Sequence, residues 1–401
     1  MSQKGSPALA RQTLIILLAA LVAFAPLSID MYLPSLPTLA RDLAANDTEV
    51  QHSISVFLVG LCLGMLFYGP LSDRFGRRPL LLGGIALYVI ASLGCALAAS
   101  AEQLLIWRGL QAIGGAAASV LARAIVRDLF PLQEAARVLS LMQLVTMLAT
   151  LVAPMLGSYL MQGVGWRAIF IFLLMFAALC AVAVWAWVPE SHRGEARGHS
   201  VGSAFAAYLT ILGSTRALGL MLCMELSFAG MFAYITSSPF VFIEHFGFSP
   251  QQYALLFGTN IAGVMVATFL NARLVGRLGP DAMLRYGSTI SALAGAGLLL
   301  TTTIEGAGWP GIAFGLLAFV SVTGMLGANS VASLMGLFPQ RAGAAAALAV
   351  AGQFGLGALA STVVGGLHDG TPLPMSYVVA ICGIGSFAAL RLASRCEPAV
   401  A

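Results

Sequence analysis

Apolar runs of about twenty residues recur along the chain, separated by short breaks that hold most of its charge, Pro-Gly pairs and Ser/Asn/Asp clusters. At a rise of about 1.5 Å per residue, a helix of that length crosses the hydrocarbon core of a bilayer. The pattern predicts twelve such helices, near residues 12–36, 50–71, 79–99, 103–126, 138–161, 167–188, 217–243, 250–272, 282–304, 310–335, 342–367 and 374–393. The one long polar stretch, Pro189 to Ser203, is rich in Gly, Ser, Arg and Glu and divides six runs from six. The expected fold is therefore an all-α membrane protein: a six-helix bundle over 1–188, a linker over 189–204 and a second six-helix bundle over 205–401.

The first run begins after Lys4 and Arg11 and passes Ala23-Phe24-Ala25, the small-residue spacing of a signal-peptide cleavage site. Pro26 follows directly and the apolar character continues to about Leu36, so the segment is expected to be a retained first span.

Composition narrows the class. Only 9% of residues are charged and 59% are hydrophobic, against about 25% charged in an ordinary soluble protein, which excludes a soluble enzyme. The net charge of +4 raises nucleic acid as a partner, but no Lys/Arg patch is interleaved with aromatics on a soluble segment, so none is expected. With the N-terminus placed inside, all Lys and Arg except Arg41, Arg108, Arg123 and Arg167 fall in inner segments, which orients both termini to the cytoplasm. The 44 glycines suit helices that pack closely and slide. Cys62, Cys95, Cys180, Cys223, Cys382 and Cys396 show no metal or redox spacing and read as core filler, and no cofactor or metal is expected.

Three segments carry more than topology. Gly69-Pro70-Leu71-Ser72-Asp73-Arg74-Phe75-Gly76-Arg77-Arg78-Pro79 combines turn-forming glycines, arginines that hold a loop on the inner side and a carboxylate suited to the positive N-terminus of a neighbouring helix. The start of the eleventh span, near Arg341 to Ala344, is a candidate partner for Asp73. In the fifth span, Ala153-Pro154-Met155-Leu156-Gly157-Ser158 describes a small-faced helix weakened by Pro154, which serves either bending or close packing. In the fourth span, Leu104, Arg108 and Gln111 share one face.

Charges inside spans are functional candidates, because each costs about 2.5 kcal/mol or more on insertion scales. Asp30 lies about 6 Å into the outer half of the first span and Arg108 at a similar outer level of the fourth, so the two could share one cavity or form a structural pair. Glu225 lies about 7 Å toward the cytoplasm in the seventh span, with Phe228 and Phe232 at i+3 and i+7. An acid flanked by aromatics suits a lipophilic cation, or serves equally as a protonated interhelical hydrogen-bond partner. Tyr32, Gln143 and Asn260 join Phe228 and Phe232 as cavity candidates, although intramembrane amides such as Gln143, Asn260, Asn329 and Gln353 more often join helices.

The loop from Gly69 to Pro79 resembles the signature loop of the major facilitator superfamily at nearly every position, and Gly76-Arg77 recurs as Gly276-Arg277, in keeping with that family's repeated halves. Leu104-x-x-x-Arg108-x-x-Gln111 resembles its fourth-span pattern, with Ala112 in place of the usual Gly, and the Ala153 to Ser158 stretch resembles its antiporter signature with Ala153 and Ser158 substituted. Ser28-Ile29-Asp30-Met31-Tyr32-Leu33-Pro34-Ser35-Leu36-Pro37, Ala229-Gly230-Met231-Phe232 and Arg127-Asp128 together resemble the bicyclomycin-resistance/CflA type of drug:proton antiporters along nearly the whole chain. The resemblance implies proton coupling at Asp30 tuned by Arg108. It implies a conformational latch of Gly69, Asp73, Arg74, Gly76, Arg77 and Arg78, with Asp128 as partner carboxylate, that holds the outward-facing state.

The expected function is proton-coupled efflux of small drug-like compounds across a bacterial inner membrane by a monomer whose partners are substrate, protons and the lipid bilayer. The alternative is a proton-coupled transporter of a native metabolite such as an amino acid. A membrane-embedded enzyme would need a cluster of His, Asp or Cys at a membrane face, which the loops lack.

Overall fold

The computed structural model describes residues 7–191, 201–304 and 308–395, and these are helical almost throughout, with no strand among them. The first predicted span is a chain of pieces, α1 (Pro7–Leu21), α2 (Phe24–Asp30), a 3-10 turn at Leu33–Ser35 and α3 (Leu36–Asp42). Then follow α4 (Asp47–Phe75), α5 (Arg77–Leu97), α6 (Ala101–Leu129), α7 (Leu132–Val164) and α8 (Arg167–Trp187). The second set comprises α9 (Val201–Leu212), α10 (Thr215–Pro239) with a π-turn at Phe240–His245, α11 (Pro250–Leu278) and α12 (Pro280–Thr303). It closes with α13 (Trp309–Ser321), α14 (Thr323–Leu337), α15 (Ala342–Gly366) and α16 (Leu373–Arg395).

Local chemistry sets these boundaries. Asn46 and Glu49 form a reciprocal capping box at the start of α4, and Ser249 with Gln252 does the same for α11. Pro34 has no N–H to donate to the Asp30 carbonyl, so α2 stops at the acid that the sequence singles out. The tenth span divides at Val322 into α13 and α14, a break the hydropathy pattern does not reveal.

Among the described residues, eleven segments are long and apolar enough to cross a membrane. The predicted ninth span coincides with α12, which at 24 residues has the same reach but carries Asp281, Arg285 and the buried Ser288 and Ser291. Leu179, Trp185, Phe314 and Ile381 are each more than 60% exposed on the outer surface, which a bilayer solvates and water would not. The expected linker lies mostly outside the described residues, and its last residues, from Val201, already belong to the unforeseen α9.

Within the first set α6 packs on α4 and α5, and α8 on α5; within the second α16 packs on α10 and α12, and α15 on α10. The sets meet along α4 with α15 and α7 with α11. We call the side on which α8 ends and α9 begins the linker face and the opposite side the distal face.

Candidate functional site

At the distal face the two sets are sealed together. The Thr48 hydroxyl donates to the Gly365 carbonyl at 3.0 Å, Ser55 to Ser361 at 2.9 Å, and His368 lies 3.2 Å from the Asp47 carboxylate. At the linker face they part around a cavity of about 870 Å³, walled by Met65, Gly69, Asp73 and Arg77 on one side and by Gln340, Arg341, Ala344 and Ala347 on the other, with Tyr208 of α9 at its edge. The structure is therefore open to one face and closed to the other.

Asp30 is 4% exposed, and its carboxylate meets the Thr150 hydroxyl of α7. It does not pair with Arg108. It lies instead within electrostatic reach of Tyr234 and Tyr253 on α10 and α11, so a carboxylate of the first set is felt by phenols of the second. Those phenols belong to a buried chain in which Asn260 donates to Tyr234 at 2.8 Å and Ser238 sits 2.9 Å from the Tyr253 hydroxyl.

Arg108 is fully buried. Its guanidinium donates to the Ser28 carbonyl at 3.0 Å and to Gln111 at 2.7 Å, while its Nε and second terminal nitrogen have no hydrogen-bond partner. The rings of Phe57 and Tyr32 lie 4.1 and 4.7 Å from its central carbon. Each such cation–π contact contributes about 0.5–2 kcal/mol toward the cost of burial. The Ser28 carbonyl is one of the acceptors left open where α2 ends, so Arg108 caps the helix that carries Asp30 and reaches the acid through its backbone. Tyr32 belongs to the same packed interior, hydrogen-bonded to Ser53 at 2.9 Å, and does not line the cavity.

The Pro154 stretch lies beside Asp30. Gly157 packs so closely on the preceding span that a Cβ there would sit 1.9 Å from the Met31 carbonyl oxygen, and Ala153 one turn earlier is fully buried. Small residues at these positions let α7 lie directly on the break after Asp30.

Glu225 is 6% exposed, and its Oε1 has no hydrogen-bond partner. It abuts Gly352 of α15 and lies within electrostatic reach of Cys62 on α4, where α4, α10 and α15 converge. It lies beyond the cavity floor, since Cys62 and Gly352 are each a turn or so deeper than Met65 and Ala347. Phe232 shares its direction, packing on Gly357 and Phe354, but Phe228 turns to Gly327 of α14. Gln143 is exposed on α7.

The loop residues converge on one arginine. Arg77 pairs with Asp73 at 2.6 Å and with Asp128 at 3.1 Å and also donates to Ser72. Asp73 faces the cavity across from Arg341 and Ala344 and, among the described residues, forms its ion pair with Arg77 rather than with α15. Arg74 lies over Phe75, and Arg78 donates to the Trp185 carbonyl at 2.6 Å. Gly76 has φ +93°, a backbone angle that side chains disfavour, and breaks the helix between α4 and α5. Glu190 accepts from the backbone N–H groups of Arg77 and Arg78 at 3.0 and 3.1 Å, anchoring the start of α5. Sequence reasoning missed Glu190, which lies 113 residues from its partner in a stretch that reads as linker.

The chain is 34% identical over 369 residues to the bicyclomycin resistance protein homolog of Haemophilus influenzae, covering 92% of each. It is 34% identical over 295 residues to the chloramphenicol resistance protein of Pseudomonas aeruginosa, covering 72% of this chain and 68% of that one. The structure resembles that of the E. coli xylose transporter in a partially occluded inward-open conformation, with a TM-score of 0.75 at 17% identity over 96% of this chain and 98% of that one, which speaks to the fold. A family model for the Major Facilitator Superfamily matches residues 18–362, and the chain belongs to that superfamily of membrane transporters.

Proposed function

We propose that the protein exports small drug-like compounds across the bacterial inner membrane in exchange for protons. In this reading residues 1–188 and 205–401 rock about a central site, and the linker face with both termini lies in the cytoplasm. The observation that carries the reading is Asp30: a buried carboxylate at a helix break, under the small-residue face of α7 and felt by two phenols of the other half. The names of the bicyclomycin and chloramphenicol resistance relatives support the substrate class.

The physical cycle follows from burial. Sealing an ionised carboxylate away from water costs several kcal/mol, whereas its neutral acid costs far less. Closing the distal face over Asp30 therefore goes with proton uptake, and exposure of Asp30 to the other solution goes with release. The cavity of about 870 Å³ at the linker face admits a compound from the cytoplasm, and Glu225 beyond its floor favours cations among the compounds that reach it.

An efflux-deficient host expressing the chain tests the function. Resistance to at least one lipophilic antibiotic, abolished when the proton gradient is collapsed, is the expected result. An unchanged susceptibility panel with the protein present in the membrane would overturn it.

A further inference from the structure

A second, smaller pocket lies at the linker face, away from the transport path. Arg216 at the start of α10, Arg285 near the start of α12 and Arg391 near the end of α16 surround a volume of about 160 Å³, with Asp281 and Ser394 as the other polar lining. Its apolar lining is Leu220, Leu390 and Ala393, brought together where Gly219 packs against Ala393 of α16. Arg216 is engaged with a partner of its own and Arg391 lies over the Phe387 ring, which leaves the guanidinium edges of Arg285 and Arg391 for a ligand. Arg285 and Arg391 form no ion pair with Asp281 among the described residues. Helices α10 and α12 begin here with their positive ends and α16 ends here with its negative one, so the arginines rather than the helix dipoles set the field.

The general surplus of inner arginines does not account for this convergence, because positive loops satisfy topology without a pocket. The rim is also flanked by exposed aromatic and apolar side chains. Tyr286 next to Arg285 is 58% exposed and Leu392 next to Arg391 is 59% exposed, with Ile290 one turn further along α12. An amphipathic tyrosine and an apolar flank beside a basic pocket match the junction between a phospholipid headgroup and its chains.

We propose that this pocket binds the phosphodiester headgroup of an anionic phospholipid of the adjoining leaflet, held by Arg285 and Arg391, with the acyl chains along Tyr286, Ile290 and Leu392. The site needs only that the chain spans a bilayer and is independent of what the protein transports. Bidentate guanidinium–phosphate contacts supply the affinity, and the small volume limits the site to one headgroup.

Thermal melting of the full chain in detergent tests it, titrated with phosphatidylglycerol, phosphatidylcholine or inorganic phosphate. Phosphatidylglycerol should raise the melting temperature and phosphatidylcholine should not. Arg285→Gln/Arg391→Gln should need about tenfold more phosphatidylglycerol for the same shift while melting normally without lipid. Arg285→Gln alone should fall between, and Arg273→Gln, at the same face on α11, should behave as wild type. An equal response of the double variant and wild type, or an equal loss in Arg273→Gln, would overturn the site. A full shift produced by inorganic phosphate alone would overturn the lipid as its occupant.

Discussion

His368 lies 3.2 Å from the carboxylate of Asp47, joining the loop after α15 to the first turn of α4 across the sealed distal face. The placement is favourable at the Asp47 end, since a helix N-terminus stabilises the anion. The pair is partly exposed, at 14% and 33%, so it contributes no more than about 1 kcal/mol to the seal.

His368→Ala should therefore raise the population open at the distal face by up to about fivefold without loss of folding. The readout is maleimide labelling from that side of Ser361→Cys, whose native hydroxyl lies buried between Ser55 and Thr236, in a background without reactive native cysteines. Labelling at the wild-type rate would remove the His368–Asp47 pair from the seal.

Gly157→Ala should be among the most damaging single methyl additions in the protein. The new Cβ would fall 1.9 Å from the Met31 carbonyl oxygen, so α7 must move away from the segment that holds Asp30. Overpacking of this kind costs about 1–3 kcal/mol, and transport should fall with the melting temperature. Gly163→Ala, on the same helix with nothing within 4 Å, should leave both unchanged. Equal behaviour of the two variants would remove the close approach from the account.

Asp73→Ala tests the latch. In the structure Asp73 is held by Arg77 within its own half, and the first turn of α15 stands across the open cavity. If Asp73 meets that helix end only when the linker face closes, its removal weakens the opposite state by about 0.3–1 kcal/mol. Distal labelling of Ser361→Cys should then fall about two- to fivefold while substrate binding persists. Unchanged labelling would leave Asp73 as a partner of Arg77 only.

Much of this architecture was legible because membrane solvation imposes a strict length and hydropathy on each span; the expected ranges fall on helices throughout. The breaks at Asp30 and Val322 were not visible, since hydropathy is blind to a missing N–H or a bend inside an apolar run. Asp30 and Glu225 stood out as charges where charge is costly, and both prove to be buried. Their partners did not stand out. Spacing along two spans suggests that Asp30 and Arg108 share a level, but level says nothing of which helix face each occupies: Arg108 points into a cage of aromatic rings, whereas the Asp30 carboxylate meets Thr150 of α7. The same limit explains Phe228, which shares a helical repeat with Glu225 yet packs on a different neighbour.

Glu225→Gln should separate substrates by charge. A carboxylate attracts a cation through its charge, whereas a neutral compound gains only hydrogen bonding and packing, which the amide retains. Resistance to lipophilic cations should be lost and resistance to a neutral compound should largely survive. Equal loss of both at normal expression would assign Glu225 to coupling or to the packing of α10 on Gly352.

Substrate-induced proton release in everted vesicles most directly measures whether the Asp30 carboxylate carries the exchanged proton, as proposed. Asp30→Asn keeps the size and the hydrogen bonding to Thr150 but cannot titrate. The variant should insert and bind substrate normally, yet release no protons from the vesicle lumen on substrate addition. Proton release from Asp30→Asn at the wild-type rate would contradict the account.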